Sequence, residues 1–211
     1  MTGREMQIAV ERQLQTIGKD FESANKPNSN YIFYYLNKAQ TDIVNQYRAI
    51  GVERNETIKS RLGSLFKEFE VDTSGANKTG VYSAVQVDIE ADYWYILNES
   101  IDSTKVEDDT IPVVGIKVKS VSRDYYNDNI GNPYKKPELE VLCWSLENEG
   151  RRALIYPHSI NKYRYSYIKR PTQISVSSNS ELNESVHEEL VERAVGYITN
   201  RFFATSQKQE E

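Results

Sequence analysis

The chain has 211 residues, 38% of them hydrophobic and 27% charged, with a formal net charge of −5. This is enough for one well-cored domain with extensions. The low apolar share leaves surface to be buried on a partner, and the acidic balance weighs against tight nonspecific DNA binding, which needs a basic footprint. A single cysteine, Cys143, excludes an intrachain disulfide and suits a reducing compartment. No apolar run approaches a membrane span or a signal-peptide core, so the chain reads as soluble and made in a cytosol.

Residues 4–21 are predicted helical, because Met6, Val10, Leu14, Ile17 and Phe21 recur at helical spacing. Thr2 and Glu5 have the spacing of a capping box. After the break at Lys26-Pro27-Asn28-Ser29, a second helix is expected over about 29–50. Its stripe is Ile32, Leu36, Ala39, Ile43, Tyr47 and Ile50, and Gly51 is a natural stop. This helix is aromatic-rich and carries polar Asn37 and Gln40 at its centre. A third helix is predicted over 55–70, with Ile58, Leu62, Leu65 or Phe66, and Phe69 on one face.

The period then changes to two. Strands are expected over 81–89, 93–101, 114–119, 139–146, 152–156 and 162–168. Residues 123–137 hold Asn132-Pro133 and Lys136-Pro137 and read as a long connection with one helical turn. Glu147-Asn148-Glu149-Gly150 reads as a hairpin turn, and Ser177–Ser180 as a small polar linker. A last helix is predicted over 183–203, followed by a polar tail from Ser206 expected to be disordered. Segregated helices and strands point to an α+β fold with a mostly antiparallel sheet.

Chemistry-bearing clusters are sparse. Two histidines, His158 and His187, and one cysteine are too few for a zinc site, and His187-Glu188-Glu189 lacks the second histidine of a zinc helix. Cys143 beside Trp144 in an alternating strand reads as a buried, inert thiol. Neither a nucleophile elbow nor a glycine-rich phosphate loop is present. Asp88, Glu90 and Asp92 alternate near a strand end, where a solvated acidic face is the commoner arrangement and a calcium or general-acid site the sharper one. In Lys162-Tyr163-Arg164-Tyr165-Ser166-Tyr167-Ile168-Lys169-Arg170 the tyrosines and the cations Lys162 and Arg164 fall on opposite strand faces. Aromatic platforms beside cations are what single-strand nucleic-acid binders use, but opposite faces cannot form one stacking groove, so a core-facing tyrosine row with a solvated basic row is the commoner arrangement. No catalytic residue, cofactor site or metal site is assigned.

Several segments together carry a resemblance. They are Met1-Thr2-Gly3-Arg4-Glu5; Phe33-Tyr34-Tyr35-Leu36-Asn37-Lys38-Ala39-Gln40; Asp92-Tyr93-Trp94-Tyr95-Ile96-Leu97-Asn98-Glu99; Arg123-Asp124-Tyr125-Tyr126-Asn127 through Asn132-Pro133-Tyr134-Lys135-Lys136-Pro137; and Tyr165-Ser166-Tyr167-Ile168-Lys169-Arg170-Pro171, followed by the helix from Val186 to Val195. In this order they resemble a virion structural protein of crAss-like tailed phages. Ile89-Glu90 stands where that family usually has Leu-Pro, and Asn183 where it often has Pro.

The resemblance implies a non-enzymatic ring or adaptor subunit of the head-to-tail connector. It implies a helical bundle with an inserted β domain, in a twelve-fold ring beneath the portal. Its partners would be its own copies, the portal or other ring and tail proteins, and DNA passing through the lumen without sequence-specific contact. It would reside in the virion after assembly in the host bacterial cytoplasm, with no membrane contact. The corresponding organisation is a helical segment at 1–72, a β-rich domain at 73–178, a helix at 179–205 packing on the first, and a disordered tail at 206–211. The candidate assembly-interface residues are Tyr31, Tyr34, Tyr93, Trp94, Tyr125, Tyr126, Tyr134, Phe202 and Phe203. The alternative function is a phage nucleic-acid-binding module using the strand at 162–170.

Overall fold

The structure is a computed structural model that describes residues 1–17, 27–52, 55–73, 83–104, 112–132, 134–135, 137, 142–148 and 151–206. Along the chain lie α1 (Gly3–Ile17), α2 (Ser29–Ile50), α3 (Glu56–Leu62), β1 (Phe66–Asp72), β2 (Ser83–Asp88), β3 (Tyr93–Thr104) and β4 (Pro112–Ser120). They are followed by α4 (Arg123–Asn129), β5 (Leu142–Asn148), β6 (Arg151–Tyr156), β7 (Ile160–Lys169) and α5 (His187–Ser206). Two compact units result: Met1–Phe66 with Arg170–Glu211, and Lys67–Lys169.

The first unit is helical. The capping box starts α1: Thr2 Oγ1 accepts from the Glu5 N–H at 3.2 Å, and the Glu5 carboxylate accepts from the Thr2 N–H at 2.8 Å. Asn28 caps α2 by accepting from the Tyr31 N–H at 2.8 Å, and Gly51, at φ 96, ends it in the left-handed region. Met6, Val10 and Leu14 of α1, Ile32, Leu36, Ala39 and Ile43 of α2, and Leu190, Ala194 and Ile198 of α5 are all buried. These stripes let α5 pack on both α1 and α2. Gly3 is buried where α1 meets the turn at Ser175–Ser178, and a β-carbon there would stand 2.1 Å from the Ser175 carbonyl oxygen.

The second unit is a seven-stranded sheet in the order β1-β7-β3-β4-β5-β6-β2. The pairs β2/β6, β3/β4, β3/β7 and β5/β6 are antiparallel, and β4/β5 is parallel. The sheet curls until its two end strands line one cleft, with Val71, Asp72 and Thr73 on β1 and beyond it, and Val85, Gln86, Val87 and Asp88 on β2. Inside lie Val85, Val87, Ile101, Ile116, Cys143, Leu154, Tyr156, Tyr163, Tyr165 and Tyr167. On the other face Tyr125 and Tyr126 of α4 pack with Trp144, Val121 and Ile155.

Two expectations change. The predicted helix over 55–70 ends at Leu62, passes through a short 3-10 turn at Gly63–Leu65, and becomes strand β1. Gly63, at φ 58, interrupts the helix. The following Phe66–Asp72 segment pairs with β7, with Phe69 and Val71 two residues apart on the face toward the interior. The connection at 123–137 holds a seven-residue helix, α4, rather than a single turn. A parallel pair cannot be closed by a hairpin, and helix α4 lies in the crossover from β4 to β5 and covers Trp144. Phe21 and the tail from residue 207 lie outside the described residues.

Candidate functional site

The polar centre of α2 is a clamp. Asn37 Nδ2 donates to the Ile174 carbonyl at 3.0 Å, and the Ile174 N–H donates back to Asn37 Oδ1 at 2.7 Å. One turn on, Gln40 Nε2 donates to the Thr172 carbonyl at 3.0 Å, and its Oε1 accepts from Ser180 Oγ at 2.7 Å. An extended segment has no ladder of its own, so its buried backbone groups need partners. The two amides supply them, and they hold residues 172–180 along α2 ahead of α5.

Inside the curled sheet a charged cluster joins neighbouring strands and, through Arg152 and Glu99, also links β6 to β3, which are not neighbours. Arg152 on β6 is 5% exposed. Its Nε lies 3.4 Å from Glu99 Oε1 on β3, and its NH1 lies 3.3 Å from Glu147 Oε2 and 3.4 Å from Ser120 Oγ. The Nε contact is an ion pair without hydrogen-bond alignment, which leaves that N–H unsatisfied. Tyr163 donates its hydroxyl to Glu99, and burial pushes its pKa far above the usual phenol range. Tyr93 donates to Glu147 at 2.8 Å. Sequence reasoning missed this cluster. Its signal was the parity of Arg152 with the apolar Leu154 and Tyr156.

The sequence-predicted chemistries are taken up by structure. Tyr163, Tyr165 and Tyr167 form an internal stack with centroids 5.3 and 5.8 Å apart, and Phe69 of β1 stacks on the latter two. The three tyrosine rings are buried, while Phe69 is 37% exposed. On the other face Glu70 holds Lys162 at 2.5 Å and Arg164 at 2.7 Å, and Asp102 takes Arg164 at 2.6 Å. The bonds from Lys162 and then Arg164 hold the Glu70 carboxyl below its ordinary pKa. The acidic trio divides: Asp88 pairs with Arg151 at 2.8 Å, while Asp92 accepts from the Tyr167 hydroxyl at 3.0 Å. Burial pushes the Cys143 thiol up, out of nucleophilic range. His187 is buried, with Nε2 3.1 Å from the Leu182 carbonyl and Nδ1 2.8 Å from the Met1 amine, an arrangement that a neutral Nε2–H imidazole satisfies. Among the described residues no three His, Cys, Asp or Glu side chains gather as a metal would require. Nor is any helix among them long and apolar enough to cross a membrane.

The assembly candidates fall into three settings. Tyr34 is 60% exposed and Tyr134 91% exposed. Tyr31, Tyr93, Trp94, Tyr125, Tyr126 and Phe202 are half-buried: Tyr31 stands edge-on to Tyr35, Trp94 stacks on Tyr95 at 4.6 Å, and Tyr125 and Tyr126 stand edge-on to Trp144. The Phe203 side chain lies outside the described residues. Around Tyr34 the helical unit gathers cations that the sequence alone did not mark. Arg201 NH1 donates to the Tyr35 hydroxyl at 3.2 Å, and the Lys38 amine sits 4.6 Å above the Tyr197 ring.

The chain is 25% identical over 191 residues to ring protein 4/5 of Bacteroides phage crAss001, covering 76% of this chain and 77% of that protein. It is 26% identical over 159 residues to ring protein 3 of the same phage, covering 68% and 69%. The family model for phage tail ring protein 3/4 matches residues 29–209, through both the helical unit and the sheet, and the chain belongs to that family of crAss-like phage tail ring proteins.

Proposed function

We propose that this protein is a subunit of a closed homo-oligomeric ring in the head-to-tail connector of a crAss-like phage virion. It sits beneath the portal with twelve copies around the axis, and DNA passes through the lumen. The family match running across both units carries this reading. The organisation fits it as a helical bundle, made from the two ends of the chain, with a β domain inserted between them. A ring subunit meets two identical neighbours and different proteins above and below, so exposed aromatic surface is expected of it. A net charge of −5 suits a lumen through which phosphates slide without sticking. Assembly takes place in the host bacterial cytoplasm.

Native mass spectrometry of the protein, alone and mixed with the cognate portal ring, tests this. Uptake of about one copy per portal subunit, the stoichiometry of a closed matching ring, is the expected result. A ring that forms and ignores the portal would refute direct portal contact. A chain that never oligomerises, with the portal or with other connector and tail proteins, would refute the ring reading.

A further inference from the structure

The helical unit carries two dissimilar patches at opposite ends of α5. At the C-terminal end, exposed Tyr34 stands edge-on to Tyr35 with centroids 5.1 Å apart, and exposed Lys38 lies one turn further along α2. Arg201 is anchored to the Tyr35 hydroxyl, and Tyr197 is held by Asp42 at 2.7 Å. Lys38 and Arg201 outnumber Asp42, so the patch is aromatic with a positive rim. Tyrosine and arginine on a pre-ordered scaffold are the residue types that dominate protein interfaces.

At the N-terminal end a groove runs between α1 and α5. Met1, Ala9, Gln13 and Val191 line it, the Met1 amine sits 3.7 Å from Glu184, and the exposed carboxylates of Glu188 and Glu192 rim it. Glu188 and Arg201 are 13 residues apart on one helix, roughly 20 Å at the α-helical rise. One end is therefore an aromatic knob with positive neighbours, and the other is a small groove with negative neighbours.

We propose that these ends meet between successive copies: Tyr34 of one copy enters the α1–α5 groove of the next, with Lys38 and Arg201 opposite Glu188 and Glu192. Two different patches on one subunit make a heterologous contact, which builds a ring where its rotation closes, as the ring reading requires, and not a two-fold dimer. Opposite charges set its register. This rests on the ring reading and adds which surfaces form the contact.

The test is cross-linking in assembled particles. Asn30 and Gln13 are exposed helical positions beside the knob and the groove. Particles assembled with the Asn30→Cys/Gln13→Cys chain are treated with a short bis-maleimide. A ladder of covalent oligomers is expected, with no ladder from either single variant. Incorporated protein that gives no ladder overturns the proposed contact and leaves the ring reading standing. Dimers from Asn30→Cys alone overturn it too, because they mean like patches meet. Absence of the wild-type chain from particles overturns the ring reading itself. Independently, Lys38→Glu should lower incorporation at least about tenfold, and adding Glu192→Lys should restore it. Undiminished incorporation of Lys38→Glu, or no rescue, overturns the pairing.

Discussion

Replacing Asn37 by alanine separates α2 from a segment 137 residues away while leaving the α2 stripe intact. The substitution removes both bonds to Ile174, whose residue is 1% exposed. It leaves one N–H and one C=O without their partner. An unsatisfied buried group costs about 1–3 kcal/mol. Asn37 is only half-buried, so water can reach part of the gap, and a total of about 2–4 kcal/mol is expected. Gln40→Ala loosens the same segment at Thr172 and Ser180. Once either clamp is gone the segment is freer to detach, so the second deletion should cost less than the first, with a coupling of about 0.5 kcal/mol or more. Both tryptophans, Trp94 and Trp144, lie in the sheet unit. Urea unfolding followed by circular dichroism at the helix band should therefore shift more than the same transition followed by tryptophan fluorescence. A shift of the helix transition below about 0.5 kcal/mol for Asn37→Ala, within the range of a neutral surface change, would refute the clamp.

Arg152→Met should destabilise the sheet unit by about 3–5 kcal/mol, because it strands buried Glu99. Arg152→Met/Glu99→Gln should recover part of this in fluorescence-detected denaturation. Gly3→Ala forces a β-carbon onto the Ser175 carbonyl, and a loss of about 1–3 kcal/mol is expected in thermal melts. Burial first, and the adjacent Met1 amine second, lower the His187 pKa below its ordinary value of 6.5. The unfolded chain then binds the proton more readily, so this contribution is complete above about pH 6.5 and is lost as pH falls toward the folded-state pKa. Thermal melts between pH 7.5 and 5 should show that slope, and His187→Gln should flatten it. Ellman's reagent should leave Cys143 untouched in the folded protein and label it once denatured, since burial suppresses the thiolate.

What was legible in the sequence is what depends on near neighbours. The capping box at Thr2 and Glu5, the stripe of α2 with its Gly51 stop, and the alternation that turns Tyr163, Tyr165 and Tyr167 inward and Lys162 and Arg164 outward all follow from backbone geometry within a few residues. Sequence patterns also carried the family resemblance, because the aromatic and polar runs that form it are local strings. Residues 66–70 read as the end of a helix because Leu62, Phe66 and Phe69 fit a helical face. They are a strand because Gly63 breaks the helix and the edge of β7 offers a ladder. The same sequence also left open which strand lies beside which, and why α2 carries two amides at its centre. The strand order that brings Arg152 across the interior to Glu99, the crossover helix on Trp144, and the return of Ile174 to Asn37 are non-local. Only the tertiary structure decides such contacts, because a side chain carries the capacity to bond but not the address of its partner.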